Sequence, residues 1–130
     1  MKNDLLYVAY TAMLTAALWI PYIVCQVMTN GRLKAANYVD PTPRPVPDWG
    51  KRANRAHLNA VESFAPFAAL VIVLHLLGKS GETSAMWAAW FFWLRVAHAI
   101  VFWLGIALVR TIVFTGSFIC VAGLFWEVVK

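Results

Sequence analysis

Apolar residues run with few breaks from Leu5 to Met28, from Ala56 to Leu77, and then almost continuously from Ala85 to Val129. At about 1.5 Å per residue the first run is long enough to cross a hydrocarbon core of about 30 Å. Pro21 is expected to kink it; Tyr7, Tyr10, Trp19 and Tyr22 are placed to anchor it. It does not read as a signal peptide, because no small-residue cleavage site is followed by a soluble mature domain. As one straight helix the last run would measure about 67 Å, over twice the core thickness, so the chain must turn within it. Gly105 is the best candidate, within a window from Trp103 to Arg110. The pattern predicts four spans, at roughly 5–28, 53–77, 84–104 and 108–128, and hence an all-α, integral membrane four-helix bundle in a single domain.

Two polar segments punctuate the runs. Asn30 to Asn54 holds Gly31, Gly50 and Pro41, Pro43, Pro45 and Pro47; its PTPRPVP stretch is expected to be an extended, polyproline-like connector outside the membrane. Gly78 to Ser84 (GKSGETS) reads as a turn. It is not a phosphate loop, since the earlier glycine and the preceding strand are missing.

Composition agrees. Of 130 residues, 62% are hydrophobic and 13% charged, at a mean hydropathy of +0.67, which excludes an ordinary water-exposed surface and intrinsic disorder. The net charge of +5 does not point to nucleic acid, because the basic residues concentrate in the first connector and its edges. Arg32, Lys34, Arg44, Lys51, Arg52 and Arg55 lie there, against Lys2, Lys79 and Lys130 on the other side. The positive-inside rule places the connector in the cytoplasm and both termini on the opposite side. Cys25 and Cys120 sit in apolar runs, with no CxxC pattern and no nearby histidine, so they read as small buried hydrophobes. No metal site is expected.

Ionisable groups inside spans are costly and mark functional candidates. In the second span Arg52, Arg55, Asn59 and Glu62 fall at i, i+3, i+7 and i+10, one polar stripe about 80° wide. Arg95 and His98 share a face of the third span, and Arg110 with Thr111 begins the fourth. Counted from the cytoplasmic ends, Glu62 lies about 10–15 Å deep, His98 about 10 Å and Arg95 about 15 Å. An ion pair between Arg95 and Glu62 is therefore expected. The cations outnumber their acidic neighbour, and a surplus buried cation wants an anionic ligand, so a binding site is favoured over a purely architectural clasp. His57 lies about 140° round from Arg52, away from the stripe, and reads as a capping or interface residue. His75 reads as interfacial. Gln26 and Arg32 read as a solvated helix end, and Trp87 to Trp93 (WAAWFFW) as a lipid-facing or packing surface.

Arg55 to Phe67 (RAHLNAVESFAPF) resembles the second-helix signature of the MAPEG family, membrane-associated proteins in eicosanoid and glutathione metabolism: Arg-Ala-His-x-Asn-x-x-Glu, then Pro-Phe. RVAHAIVF (Arg95 to Phe102) resembles the Arg-x-x-His-x-x-x-Tyr segment of the prostaglandin synthase branch, with Phe102 in place of the tyrosine. Arg110-Thr111 resembles that branch's Arg-Ser pair. The resemblance implies a homotrimer with glutathione bound between neighbouring subunits near the cytoplasmic face. It implies that Arg55, Asn59, Glu62, Arg95 and His98 bind the tripeptide, that Arg110 stabilises the thiolate, and that Thr111 stands where a serine hydroxyl lies. The two carboxylates and one ammonium of glutathione match several arginines and one glutamate. An arginine beside the sulfur lowers a thiol pKa from about 8.5 towards neutrality.

The first functional expectation is a glutathione-dependent transferase or peroxidase acting on lipophilic electrophiles, with the lipid bilayer, a lipophilic small molecule and further copies of itself as partners. The second is a non-catalytic binding or scaffold protein of the same fold, towards which the missing Phe102 hydroxyl inclines. A small transporter or channel is the third class. The confinement of the polar stripe to the cytoplasmic half argues against it.

Overall fold

The computed structural model describes residues 3–31 and 46–130. They form five helices: α1 (Asn3–Ala17), α2 (Trp19–Asn30), α3 (Asp48–Leu76), α4 (Glu82–Leu104) and α5 (Ala107–Val129). α1 and α2 together make one apolar segment of 28 residues, and α3, α4 and α5 contain 29, 23 and 23. All four segments are long and apolar enough to cross a membrane. The described residues are all-helical, without strands, as a membrane four-helix bundle requires.

The first segment breaks at Leu18 rather than at Pro21 itself. Pro21 has no N–H, and its ring presses on the carbonyl four residues back, that of Ala17; α1 ends at Ala17 accordingly. α3 begins at Asp48, so residues 48–54 are helical although they fall in the segment expected to be connector. Extended Pro47 (φ −64°, ψ 166°) precedes the helix and Asp48 stands in its first turn, where a carboxylate favours the positive end of the helix dipole. Gly50 and Ala53 already belong to its buried stripe. The extended reading of PTPRPVP, and Arg32, Lys34 and Arg44, lie outside the described residues, Val46 and Pro47 excepted.

α4 is the central element, packed on α1, α3 and α5, while α2 packs on α3. Its buried Ser84, Ala88, Phe91, Arg95, His98 and Phe102 repeat at alternating steps of four and three, the seam of a helix enclosed by neighbours. The core joins Phe67, Val71 and Leu74 of α3 to Ala88 and Phe91 of α4 and to Cys120 and Leu124 of α5. Phe67 and Phe91 stack at 4.0 Å, 11° from parallel. The tryptophan-rich block divides: Trp90 and Trp93 are exposed, Trp87 packs on the core, and Phe92 meets Tyr7 and Tyr10. Cys25 and Cys120 are buried free thiols.

Each end of the bundle is tied by polar contacts. At one end Asp4, fully buried, accepts from its neighbour's amide Leu5 N at 2.8 Å and from the hydroxyls of Ser84, at 2.9 Å, and Ser80. There too, Lys79 Nζ donates to the Val128 carbonyl at 2.6 Å, meeting a helix C-terminus that favours cations. At the other end Gly105 adopts φ +75° and closes α4, with its N–H on Phe102 O and the Ile106 N–H on Val101 O, a Schellman turn that needs a left-handed residue. Arg52 Nε donates to Trp103 O at 3.0 Å, so this arginine fastens the start of α3 to the end of α4.

α4 and α5 approach closely through two glycines. A Cβ at Gly123 would overlap the Trp87 indole, whereas one at Gly116 would meet only the tip of Leu94, at 3.2 Å. Gly123→Ala is expected to destabilise the protein by about 1–3 kcal/mol through overpacking. Gly116→Ala is expected to be neutral or stabilising, because alanine gains about 1 kcal/mol of helix propensity. Thermal unfolding in detergent checks both, and a Gly123→Ala variant that melts no lower than wild type would refute the close-packing assignment.

Candidate functional site

A groove runs between α3 and α5 over a floor made by α4. Three cavities share it. One of about 270 Å³ is lined by Arg55, Asn59, His98, Phe102, Arg110, Thr111 and Phe114. A second of about 220 Å³ is lined by Arg55, Leu58, Asn59, Glu62 and Phe102. A third of about 330 Å³ is lined by Asn59, Glu62, Ser63, Pro66, Phe91, Phe114, Ser117, Phe118 and Val121. Asn59 borders all three. The first two form a polar compartment towards the Gly105 end, and the third is a mostly apolar extension deeper in the bundle.

The polar residues of both compartments follow from helix geometry. Arg55, Asn59 and Glu62 sit on the side of α3 turned from its alanine-rich buried stripe, and Arg110, Phe114 and Ser117 recur at steps of four and three along α5. His98 and Phe102 reach up from the α4 seam, their rings 5.4 Å apart; His98 also lies 6.3 Å from the Phe114 ring. The Arg110 guanidinium stands over the Phe102 ring, 5.0 Å from its centroid, a cation–π contact. The Thr111 hydroxyl donates to Ala107 O at 3.2 Å, leaving its oxygen as an acceptor beside Arg110.

The expected Arg95–Glu62 ion pair does not form. Arg95 Nη2 donates instead to Asn59 Oδ1 at 2.6 Å, and Glu62 is exposed in the groove. Depth counting placed Glu62 level with Arg95, but angle decides. Glu62 lies about 60° further round α3 than Asn59, off the seam with α4. Arg95 is only 3% exposed and lines none of the three cavities; its Nε and Nη1 have no hydrogen-bond partner. It acts behind Asn59. By holding Oδ1, it turns the Asn59 amide N–H groups towards the groove.

Charge in the groove is unpaired. Arg55 and Glu62 border the same cavity, yet among the described residues the one ion pair is Lys130–Glu127, at 2.9 Å and the opposite end. Arg110 likewise has no carboxylate partner among the described residues. A cleft with two guanidinium groups, one carboxylate and an oriented amide offers complementary charge to a small zwitterion carrying excess negative charge. Among the described residues no group of His, Cys, Asp and Glu is arranged to hold a metal.

A family model for the MAPEG family matches residues 8–130. The chain belongs to the MAPEG family. No curated protein and no solved structure matches it. Within this MAPEG chain the RAHLNAVE segment supplies the α3 wall of the groove, the Arg95–His98 segment its floor, and Arg110–Thr111 the head of its α5 wall.

Other expected residues lie elsewhere. His57 is half-buried and lines none of the three cavities. Gln26 belongs to a ladder along α2: Asn30 donates to its Oε1 at 3.0 Å, and its Nε2 donates to Tyr22 OH at 2.7 Å. Sequence reasoning missed the apolar extension, whose signal is the Ser63–Pro66 and Ser117–Val121 pairs facing one another across α4.

Asn59→Ala removes the protein hydrogen bond of a buried guanidinium and is expected to cost about 1.5–3 kcal/mol. Asn59→Asp places a carboxylate at the same position and is expected to retain stability. Chemical or thermal unfolding in detergent measures the pair, and equal loss in both would show that Arg95 does not depend on this contact.

Proposed function

We propose that this MAPEG protein is a glutathione-dependent membrane transferase or peroxidase acting on lipophilic electrophiles, working as a homotrimer with the 30–54 connector in the cytoplasm and both termini on the opposite side. The observation that carries the reading is the convergence of Arg55, Asn59, Glu62, His98 and Arg110 on two adjoining polar cavities without an internal ion pair. In it, Arg55 receives a carboxylate of the tripeptide, Glu62 its ammonium, and Asn59 donates an amide N–H. Arg95 keeps that amide turned outward. His98 forms part of the floor.

Glutathione, when bound, supplies the thiol whose sulfur attacks the electrophile. In this reading Arg110 favours the thiolate by charge, the thiol proton passing to solvent, and Thr111 lines the same cavity beside it. Phe102 stands where the related branch has a tyrosine, so a hydroxyl that could contact the ligand is lost and a ring face meets the Arg110 guanidinium instead.

Arg110→Ala is expected to lower conjugation of a chromogenic electrophile by about a hundredfold or more, as loss of a charge-stabilising donor does, while the oligomer persists on size exclusion. Wild-type turnover in this variant would reject the role given to Arg110. The second reading, a non-catalytic binding or scaffold protein, is favoured by the absence of a hydroxyl at Phe102. Calorimetry with glutathione followed by the same assay separates them: binding without turnover selects the scaffold.

A further inference from the structure

Arg52 belongs to the same stripe of α3 as Arg55, Asn59 and Glu62, yet it lines none of the three cavities. Its side chain meets the end of α4 instead. Nε donates to Trp103 O at 3.0 Å, and Nε, Cδ and Cζ lie 3.5, 3.6 and 3.7 Å from the point where a Cβ would stand on Gly105. The guanidinium thus packs against the turn that joins α4 to α5. Among the described residues the other hydrogen bond between α3 and α4 is that of Arg95 and Asn59, about 12 Å further along α4. α5 has little to hold its own start. Extended Ile106 (φ −89°, ψ 97°) supplies no side-chain cap, and the first turn carries no acidic residue, so its orphan N–H groups lack the usual partners. Arg110 closes this first turn, its N–H on Ile106 O at 3.1 Å, and its guanidinium rests on the Phe102 ring. Both supports of Arg110, the Phe102 ring and the start of α5, therefore flank the one carbonyl that Arg52 holds.

We propose that Arg52 is a positioning residue: its Nε–H, through the Trp103 carbonyl, holds the Gly105 turn and so keeps Arg110 across the polar compartment from Arg55. The inference rests on the proposed reaction only in assigning Arg110 to the thiolate. What counts is a donor at the fourth side-chain atom of residue 52, not its charge. Without that donor the turn is released, Arg110 moves off the thiol position, and the thiol pKa rises, because the pull of a cation falls with distance. Misplacement by about 1 Å can cost up to about a hundredfold in rate. A raised thiol pKa lowers the thiolate fraction at pH values below it and leaves that fraction complete well above it. The loss of rate is therefore largest on the acid side and disappears once the thiol is ionised in both forms.

Two variants of the full-length protein in detergent separate the donor from the charge. Arg52→Gln puts an amide N–H where Nε stands and removes the charge; Arg52→Met matches the length and removes both, and each is a good helix former. Amide hydrogen exchange at residues 105–111, measured without glutathione, is expected to be about tenfold faster in Arg52→Met and within about twofold of wild type in Arg52→Gln. In conjugation of glutathione to 1-chloro-2,4-dinitrobenzene, Arg52→Met is expected to lose about tenfold in kcat near neutral pH with KM for glutathione nearly unchanged. That loss is expected to vanish above the ordinary thiol pKa of about 8.5, while Arg52→Gln follows wild type at every pH. Unchanged exchange in Arg52→Met overturns the proposal. So does an Arg52→Gln variant as impaired as Arg52→Met, since charge would then be the active property, or a KM raised in both, which would put Arg52 on the ligand itself. A kcat loss equal at every pH overturns it as well, because a loosened fold, and not a shifted thiol, produces that. Where Arg52→Met does not fold, Arg52→Gln decides: wild-type exchange and pH profile support the proposal and their loss overturns it. A wild type without turnover rejects the proposed reaction, and the hold of Arg52 on the turn then stands or falls on exchange alone.

Discussion

A guanidinium buried in the seam of a membrane helix constrains everything around it. Arg95 occupies the buried α4 seam between Phe91 and His98, and an unpaired charge in such surroundings is among the costliest groups a protein can hold. One amide oxygen answers it. That contact fixes the register of α3 against α4, sets the rotation of Asn59, and through Asn59 gives the groove its oriented donor. Replacing the amide by the nearby carboxylate of Glu62 would have neutralised the charge, but it would also have consumed the acidic group of the groove. As built, the cation stays behind the wall and the carboxylate stays in the cleft.

The groove thus joins two chemistries along one line. Towards Gly105 it is charged, with Arg55 and Arg110 on opposite walls; beyond Asn59 it becomes mostly aromatic, with Phe91, Phe114 and Phe118. Small alternations of helix geometry produce the change. One turn along α3 separates Asn59 from Ser63, and one turn along α5 separates Arg110 from Phe114. Both compartments rest on α4, whose close approach to α5 is permitted by Gly116 and Gly123.

Much of this was legible in the sequence, because in a membrane hydropathy and helical period carry nearly all the information. The four apolar segments, the Gly105 turn, the stripe of Arg55, Asn59 and Glu62, and the family resemblance all came from the residues alone. What escaped depended on rotation and tertiary pairing. Depth along a helix can be counted, but whether Asn59 or Glu62 meets Arg95 turns on about 60° of rotation set by the buried alanines of α3. Arg52 read as part of the stripe, and only the fold shows it capping α4 from 51 residues away in the chain. Asp4 passed unnoticed beside a long apolar run, since its partners Ser80 and Ser84 lie in another turn. The start of α3 was hidden by polar residues that look like a connector yet continue a helix outside the apolar slab.

The two ends of the bundle treat their charges in opposite ways. At the Gly81 end Asp4, Lys79, Glu127 and Lys130 are each engaged by serine hydroxyls, terminal carbonyls or one another. At the Gly105 end Lys51 and Arg55 are exposed and Arg110 half-exposed, none with an acidic partner among the described residues. The molecule is therefore electrically lopsided, with an attractive potential for anions gathered at one mouth. Within a screening length of about 8 Å at physiological ionic strength, that mouth enriches negatively charged solutes and lipid headgroups before any specific contact is made, and added salt erases the enrichment while leaving the cleft itself intact.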